Sequence, residues 1–566
     1  MRRALKTLLI YALALGLLIS VTGCGNSGGG GGNSGDNRST GSISTVSRGT
    51  PCGCSEDGAF VNGEGSVADP WIVGTAEQLS HVWEHLDAHF KMDTDIDLTD
   101  YLAETGAGYN GGAGWDPIGQ YIAGDPSVAF TGSFDGGGYS VTGLWFDRDE
   151  RFYMGLFGYV AEGATVSNLS VTADATGSGE DIGIAALAGM NDGEIINCSA
   201  AGTVIGDGSN ASIGGLVGYN DLGTITDCSV KATISGSGNA VDIGGIVGFN
   251  SGTVVSGCTA TVTISGGGNE ANVGGIIGFN YDGVISDTHT YSGSISANGN
   301  NASIGGLIGF NGSGGTISNS DTKLVAVMGD GTNMDIGGLV GYNAGTINEL
   351  SNAQSTVTSN GTESSAGGFV GYNAGTITDC HYAGNIGGDG IDASVGGFVG
   401  TNGSSATITA CSSTGSATGG EGTVGIGGFA GYNNGEITNS YSTSSARGGD
   451  LAFIGGLVGI NSNLITNCYA LSGIEALGEG ADLGGLVGGN TGSGVITDCY
   501  WNIDQITVSV GNELGQTDAT GMTRAEMSTT DFMDTLNANA GSDVWLRDSG
   551  ALGGLPHLIT DTVRFS

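Results

Sequence analysis

The sequence predicts an all-β fold, a parallel β-solenoid of about twelve coils of roughly 30 residues, with small helix-containing N- and C-terminal caps. The first observation is a recurring octet, IGGLVGYN at residues 213–220. Its recognisable copies begin at Tyr153, Ile184, Ile213, Ile243, Val273, Ile304, Ile336, Ala366, Val395, Ile426, Ile454 and Leu483. The first and last starts are 330 residues apart over eleven intervals, a mean period of 30 residues. A fixed period of this length is typical of stacked repeat units.

Each octet is followed by a turn and a second pattern, which is the second observation. Cys258, Ala260, Val262 and Ile264 are apolar, whereas the residues between them are Thr. This alternation predicts a strand with one buried face, and the Gly-rich stretch 266–269 predicts the turn into the next octet. Because glycine interrupts nearly every window long enough for a helix, a helical solenoid does not fit. Short strands that stack from one coil to the next fit this pattern.

Leu216 does not fit a regular strand within the octet. It would face away from Ile213 and Val217, although all three side chains are apolar. A bulge at the preceding Gly-Gly pair would return Leu216 to the core, and the sequence leaves this question open.

The N-terminus predicts export and a lipid anchor. Basic residues precede an apolar run over residues 8–21, which is typical of a signal peptide and short for a membrane span. The run ends in V-T-G-C, which resembles the bacterial lipobox and implies that Cys24 is acylated. An ordinary secretory signal with an incidental cysteine is the alternative. With a lipidated Cys24, the protein is expected to be tethered to a membrane rather than to span it.

We expect five parts in the chain. These are a lipoprotein signal peptide at 1–23, the lipidated cysteine and a flexible Gly/Ser-rich linker at 24–50, an N-terminal cap with the first β-helix coils at 51–152, the repeat solenoid at 153–500, and a C-terminal cap at 501–566. Solenoids need such caps because their end coils otherwise expose unpaired strand edges.

The composition indicates a folded, acidic protein. The formal net charge is −42, yet only 12% of the residues are charged and 39% are hydrophobic, so the chain has enough apolar surface to fold. Acidity this one-sided disfavours nucleic acid and anionic lipid headgroups as partners.

These residues resemble the GLUG-motif repeat family, named for a Gly-Leu-any-Gly core such as residues 215–218. The flanks resemble the family as well, at 69–72, 75–79, 95–98, 115–119, 134–138, 521–523, Trp545 and 554–556, so that the resemblance covers about residues 65 to 560. It implies a surface or secreted protein of adhesin type, and the motif also occurs beside some immunoglobulin A peptidases.

The flanks also carry helix-start patterns. Thr75 with Gln78, and Thr523 with Glu526, match a capping box. In the first helix, apolar residues at helical spacing, from Leu79 to Phe90, predict one face that packs on the end of the rod.

Two patterns in the N-terminal cap imitate metal sites. His81 and His85 match the H-x-x-E-H zinc-protease pattern, with His89 one turn further along, but the cap setting favours solvated histidines. Asp93, Asp95 and Asp97, with Glu104 at the twelfth position, imitate a calcium loop. The sixth position is Leu98 rather than glycine, which favours a structural role. We therefore expect no metal site and no cofactor, while calcium binding elsewhere on the acidic surface is left open.

Three residue types recur at fixed repeat positions. Asparagine ends eleven of the twelve octets, which predicts a stacked amide ladder at a turn. An aromatic residue precedes it in many coils, and we expect this stripe to be core; if exposed, it would suit sugar rings. Seven cysteines share another position, at Cys198, Cys228, Cys258, Cys380, Cys411, Cys468 and Cys499, and we expect buried thiols. Cys52 and Cys54 lie outside the repeats and are expected to be oxidised in an exported protein.

The repeat region predicts no catalytic residues. It contains only three Lys or Arg residues, Lys231, Lys323 and Arg447, too few for a lyase site that acts on uronates. Acidic residues such as Asp207, Asp330 and Asp389 are expected to form a solvated edge. The leading hypothesis is a non-catalytic lipoprotein, surface-exposed on the cell envelope, that uses its solenoid for adhesion or matrix contact with an extracellular protein or glycan. The alternative is a carbohydrate-binding or polysaccharide-processing β-helix protein.

Overall fold

A computed structural model describes residues 60, 62–149, 152–252, 254–348, 352–547 and 554–561. Cys24, Cys52, Cys54, the predicted signal peptide and the linker lie outside the described residues. The predicted parallel β-solenoid is confirmed, because every described coil pairs in parallel with the next. A typical coil has four strands, Ser212–Gly214, Val217–Asn220, Thr224–Thr226 and Ser229–Gly236. The first joins sheet 1, the second joins sheet 2, and the last two join sheet 3.

Sheet 1 holds the starts of the octets and sheet 2 holds their ends. The twelve strands of sheet 1 are Tyr153–Met154, Gly183–Ile184, Ser212–Gly214, Asp242–Gly244, Asn272–Gly274, Ser303–Gly305, Asp335–Gly337, Ser365–Gly367, Ser394–Gly396, Gly425–Gly427, Phe453–Gly455 and Asp482–Gly484. The thirteen strands of sheet 2 are Phe157–Val160, Ala188–Asn191, Val217–Asn220, Val247–Asn250, Ile277–Asn280, Ile308–Asn311, Val340–Asn343, Val370–Asn373, Val399–Asn402, Ala430–Asn433, Val458–Asn461, Val487–Asn490 and Val510–Glu513.

Sheet 3 is the widest face and starts before the repeats. Its 31 strands are Trp71–Val73, His89–Met92, Ile96–Asp97, Ser133–Asp135, Ser140–Arg148, Thr165–Ser167, Ser170–Gly177, Glu194–Ile196, Ser199–Gly206, Thr224–Thr226, Ser229–Gly236, Val254–Ser256, Thr259–Gly266, Val284–Ser286, His289–Ala297, Thr316–Ser318, Asp321–Gly329, Thr346–Asn348, Asn352–Ser359, Thr376–Thr378, His381–Gly388, Thr407–Thr409, Ser412–Gly419, Glu436–Thr438, Tyr441–Ser442, Ser445–Gly448, Leu464–Thr466, Tyr469–Ala470, Ile474–Ala476, Val495–Asn502 and Gln516–Met522. The parallel strands therefore continue to Met522.

The strand register follows the octets. Ile213 pairs with Ile243, Val217 with Val247, and Asn220 with Asn250. The first copy differs, because Met154 rather than Tyr153 pairs with Ile184. The first coil is therefore one residue shorter between its sheet 1 and sheet 2 strands.

Leu216 lies in the core together with Ile213 and Val217, and all three are fully buried. The chain leaves sheet 1 at Gly214 and enters sheet 2 at Val217, so Gly215 and Leu216 form a corner. At a corner the two-residue alternation of a strand no longer applies, which is why consecutive apolar residues both point inward.

The asparagines that end the octets form the predicted ladder. The side-chain amide of each donates from Nδ2 to Oδ1 of the next over 2.7 to 3.0 Å. The members are Asn191, Asn220, Asn250, Asn280, Asn311, Asn343, Asn373, Asn402, Asn433, Asn461 and Asn490, and all are buried. Asn490 donates onward to Glu513 Oε1 at 2.9 Å. The buried polar groups of this turn are thus satisfied from coil to coil.

The N-terminal cap helix is shorter than the sequence predicts. It spans Ala76–His81, with Thr75 accepting a hydrogen bond from the Gln78 amide, and a 3-10 turn follows at Val82–Glu84. The predicted helical face through Phe90 is wrong, because Phe90 lies in the strand His89–Met92. That strand pairs with Trp71–Val73 and Ser133–Asp135, and sheet pairing overrides the apparent helical spacing. Further 3-10 turns span Asn110–Gly112 and Pro126–Val128.

The C-terminal segment, defined here as residues 523–547 and 554–561, contains two helices. They span Arg524–Met527, which has the predicted capping box, and Thr530–Ala540. A two-stranded antiparallel sheet, Trp545–Arg547 with Pro556–Leu558, and a 3-10 turn at Ile559–Asp561 follow. This segment packs on the outer face of sheet 3, on the flank of the last coils.

Candidate functional site

The three cap histidines do not share one helix. His81 ends the helix, with its ring centroid 5.5 Å from that of His85, whereas His89 lies in a strand where Nδ1 is 2.8 Å from Ser133 Oγ. His85 is half-buried against Trp71 rather than solvated, at a centroid distance of 4.4 Å. Burial, followed by the neighbouring His81, lowers the pKa of His85.

The aspartates of the calcium-like pattern serve local hydrogen bonds. Asp95 Oδ1 accepts from the backbone and the hydroxyl of Ser140, and Asp97 Oδ1 accepts from both groups of Thr99. These hydrogen bonds lower the pKa of both carboxyl groups. Across the part of the chain that the structure describes, no three His, Cys, Asp or Glu side chains are grouped to hold a metal ion.

The seven repeat cysteines are buried and free, as the repeat pattern predicts for the thiols. Each lies beside backbone carbonyls of its own or a neighbouring coil; Cys228 Sγ, for example, is 3.2 Å from Thr226 O. Burial raises the pKa of Cys411 and Cys499 well above that of an ordinary thiol. Since the thiolate is the reactive form, these two cysteines are expected to be inert. The other five are expected to be unreactive because they are buried away from solvent.

We expect none of the seven thiols to react with iodoacetamide at pH 8 while the protein is folded, and all seven to react after denaturation. Residue-resolved mass spectrometry measures this. The variant Ser229→Cys, at an exposed position next to Cys228, supplies the reactive control. If the seven cysteines of the folded protein were labelled as fast as the thiol introduced by Ser229→Cys, their buried positions would be contradicted.

The aromatic stripe lies outside the core, so its prediction as core is wrong. Its side chains are half-buried on the outer surface, at Tyr219, Phe249, Phe279, Phe310, Tyr342 and Tyr372. Several rings stack on the ring of the next coil, with Tyr342 and Tyr372 at 5.2 Å and 2°. In these stacked pairs the ring faces are covered, which is a poor arrangement for packing sugar rings. Phe279 instead stands edge-on to Phe249 and Phe310, at 85° and 86°.

The C-terminal segment covers the outer face of sheet 3 in the last coils. Tyr441 Oη donates to Asp561 Oδ2 at 2.8 Å, and Asn467 Nδ2 donates to Leu536 O at 2.9 Å. The apolar contact is made by Tyr441 and Tyr469 with Trp545 and other buried residues of the segment. A signal for this was present in the sequence, because the residue after the cysteine position changes from Ser or Thr in early coils to Tyr in late ones.

Tyr441→Phe is expected to weaken this docking by about 1 to 3 kcal/mol, because it removes a hydrogen-bond donor from a buried carboxyl group. Hydrogen exchange of residues 524–561 should rise while exchange in the octets stays unchanged. Tyr432→Phe is the control, since Tyr432 Oη makes its 3.0 Å contact with Ser462 far from the segment. Equal exchange in the two variants would contradict the role of Tyr441.

Upstream, the same face of sheet 3 is open. It carries a shallow concavity of about 350 Å³ lined by hydroxyl side chains such as Ser199 and Thr259, with Lys231 beside them. All three Lys or Arg residues of the repeats lie on sheet 3. Lys323 contacts Asp321 at 2.8 Å and Arg447 contacts Glu475 at 3.2 Å.

The acidic edge is built into the coils. Ser237 Oγ donates to Asp207 Oδ1 at 2.8 Å, and Asn360 Nδ2 donates to Asp330 Oδ1 at 2.7 Å. Both contacts join neighbouring coils, so these carboxylates support the turns as well as carrying charge.

One coil of the solenoid matches a known protein-family model. Residues 209–235, which include one octet and most of the sheet 3 strands after it, match the family model described as the GLUG motif. Residues 209–235 therefore carry a GLUG motif. The other octets place equivalent residues in the same ladders, so the GLUG unit corresponds to one coil of the solenoid.

Relatives and a solved structure show further similarity. A protein of Evansella cellulosilytica, provisionally named a Gly-rich membrane protein, is 39% identical over 150 residues, which are 26% of this chain and 16% of that protein. Halomucin of Haloquadratum walsbyi is 32% identical over 182 residues, which are 30% of this chain and 2% of halomucin. This chain thus matches a small part of these relatives. A crystal structure from Bacteroides ovatus, provisionally named an immunoglobulin A1 protease, aligns over 89% of this chain and 97% of its own, with 15% identity and a TM-score of 0.28.

The name of the Evansella cellulosilytica relative places that protein at a membrane. Among the described residues of this chain, none of the helices has the length and apolar character needed to cross a bilayer.

Proposed function

We propose that this GLUG-motif protein is a non-catalytic lipoprotein of the cell envelope, anchored through Cys24 and exposed at the surface, which presents its solenoid for adhesion or matrix contact. The observation that supports the proposal is the unbroken asparagine ladder from Asn191 to Asn490, which ties eleven coils into one continuous scaffold. A scaffold with ladders of equivalent residues offers a long, regular surface to an extracellular protein or glycan.

The N-terminal lipobox-like sequence and the names of the relatives support an envelope location. The high negative charge keeps such a surface soluble and disfavours nucleic acid as a partner.

Deletion of the gene, with complementation by the full chain or by its Cys24→Ser variant, tests the proposal. We expect deletion to reduce attachment of the cells to surfaces or matrix, the full chain to restore it, and Cys24→Ser to release the protein from the membrane fraction. If deletion leaves attachment intact and abolishes a specific hydrolysis instead, the non-catalytic role is wrong.

A further inference from the structure

Four tyrosines and two aspartates meet at the N-terminal end of the aromatic stripe. We define this tyrosine–aspartate patch as Tyr121, Tyr153, Tyr159, Tyr219, Asp192 and Asp221. Its tyrosines are linked by ring contacts, with centroid distances of 5.7 Å from Tyr121 to Tyr153, 5.3 Å from Tyr121 to Tyr159, and 6.4 Å from Tyr153 to Tyr219. The patch therefore joins the N-terminal region to the first three coils.

Tyr121 differs from the six residues of the aromatic stripe in its position and in its greater exposure. It lies outside the repeats, its ring is perpendicular to Tyr153 and Tyr159 at 88°, and 43% of the residue is exposed. Ile122 and Leu222, two exposed apolar residues, follow Tyr121 and Asp221 directly. Because 43% of the residue is exposed, Tyr121 presents part of its apolar ring surface to solvent.

The two carboxylates lie in neighbouring coils. Asp192 and Asp221 follow the ladder residues Asn191 and Asn220, which pair in register, and the Asp221 amide donates to Asn191 O at 3.1 Å. Tyr159 Oη donates to Asp192 Oδ2 at 2.6 Å. Both aspartates are half-buried, and burial raises the pKa of each. For Asp221, the nearby charge of Asp192 adds to this rise in pKa.

The carboxylates are a local departure from the repeat. The equivalent positions in the next coils hold Ser251, Tyr281, Gly312, Ala344 and Ala374. The scaffold itself therefore does not need an acid here. Half-buried carboxylates beside one another cost stability, and a break in an otherwise regular pattern at such a cost indicates a functional site.

We propose that the tyrosine–aspartate patch binds a neutral glycan, with Tyr121 packing against a sugar ring and Asp192 and Asp221 accepting hydrogen bonds from its hydroxyl groups. A sugar offers both an apolar ring face and several hydroxyl donors, which matches an exposed aromatic residue flanked by paired acceptors. The paired aspartates and the charge of −42 repel uronates and other acidic polymers.

This inference rests on the proposed function, because the patch meets an external glycan only if the solenoid is exposed at the surface. It goes beyond that proposal by naming the site and the ligand class. Affinity electrophoresis of the purified full chain through gels containing soluble β-1,3-glucan, β-1,4-glucan, xylan or mannan tests it. We expect at least one of these neutral polysaccharides to retard the protein.

Tyr121→Ala and Asp221→Asn are expected to weaken that retardation by about tenfold or more in apparent affinity. The matched control is Tyr291→Ala, which removes a tyrosine of similar exposure, 37%, from sheet 3. Circular dichroism should show unchanged folding in all three variants, because none of these side chains is fully buried.

Four results would overturn the inference. They are retardation by none of the four polymers, equal retardation of wild type and Tyr121→Ala, loss of retardation on adding a chelator, which indicates a bridging cation, and retardation confined to acidic polymers or proteins. If attachment depends on the gene while no neutral glycan binds, the inference fails and the proposed function stands. If a neutral glycan binds at the patch but gene deletion does not alter attachment, the proposed function fails instead.

Discussion

Gly274→Ala is expected to destabilise the solenoid by roughly 4 kcal/mol or more, which is beyond the usual cost of overpacking. Gly274 ends a sheet 1 strand in the middle of the repeats. A Cβ atom at this position would lie 2.0 Å from Ile277 O in its own coil and 2.7 Å from Gly309 N in the next. Both neighbours are backbone atoms, so no side-chain rotation relieves the overlap.

The control for Gly274 is Gly387→Ala. Gly387 also lies in a strand, but a Cβ atom there would meet nothing within 4 Å. We expect its stability to stay within about 0.5 kcal/mol of wild type. Urea denaturation followed by circular dichroism gives the comparison, as a shift in midpoint, since a repeat array need not unfold in one step. A Gly274→Ala midpoint equal to that of Gly387→Ala would contradict the close approach of sheets 1 and 2.

Asn280→Leu is expected to cost about 3 kcal/mol or more, although the two side chains have similar volumes. Asn280 is fully buried, accepts from Asn250 at 2.8 Å, and donates to Asn311 at 2.9 Å and to Gly283 O at 3.0 Å. The substitution removes all three hydrogen bonds and takes a partner from two buried amides. A surface amide that loses its partner can form a hydrogen bond to water, whereas these buried amides cannot.

Asn360→Leu is the matched control for Asn280. Asn360 makes a similar cross-coil hydrogen bond, 2.7 Å to Asp330, but at an exposed position. We expect a loss within about 0.5 kcal/mol, because solvent replaces the partner. Thermal and urea midpoints of the two variants measure the difference. If both variants unfold together with wild type, the asparagine ladder does not hold the coils.

The periodic features of this protein could be predicted from the sequence. The repeat length, the strand and turn segments and the asparagine ladder depend on residues that recur at one position, and stacking places equal positions in contact. The burial of Leu216 could not be predicted in this way, because it depends on a corner between two sheets rather than on the alternation of one strand.

The aromatic stripe and the cap helix were predicted incorrectly for related reasons. Tyr219 is large and apolar, which favours the core, but it lies half-buried on the outer surface while Leu216 and Val217 fill the interior. The segment through Phe90 has helical spacing, but the available strand partners at Trp71–Val73 and Ser133–Asp135 decide its conformation. A local sequence pattern favours one conformation of a segment. The neighbouring segments available in the folded protein determine which conformation the segment adopts.

The sequence by itself determined the solenoid, its period and the ladders that run along it, because these follow from nearest-neighbour stacking of similar coils. Only the tertiary structure decided what happens where dissimilar segments meet. It places the C-terminal segment on the flank at Tyr441 and Tyr469. It also brings Tyr121 against Tyr159, which donates a hydrogen bond to Asp192, at the end of the stripe. Such contacts join residues that are far apart and follow no repeat, so no period in the sequence carries them.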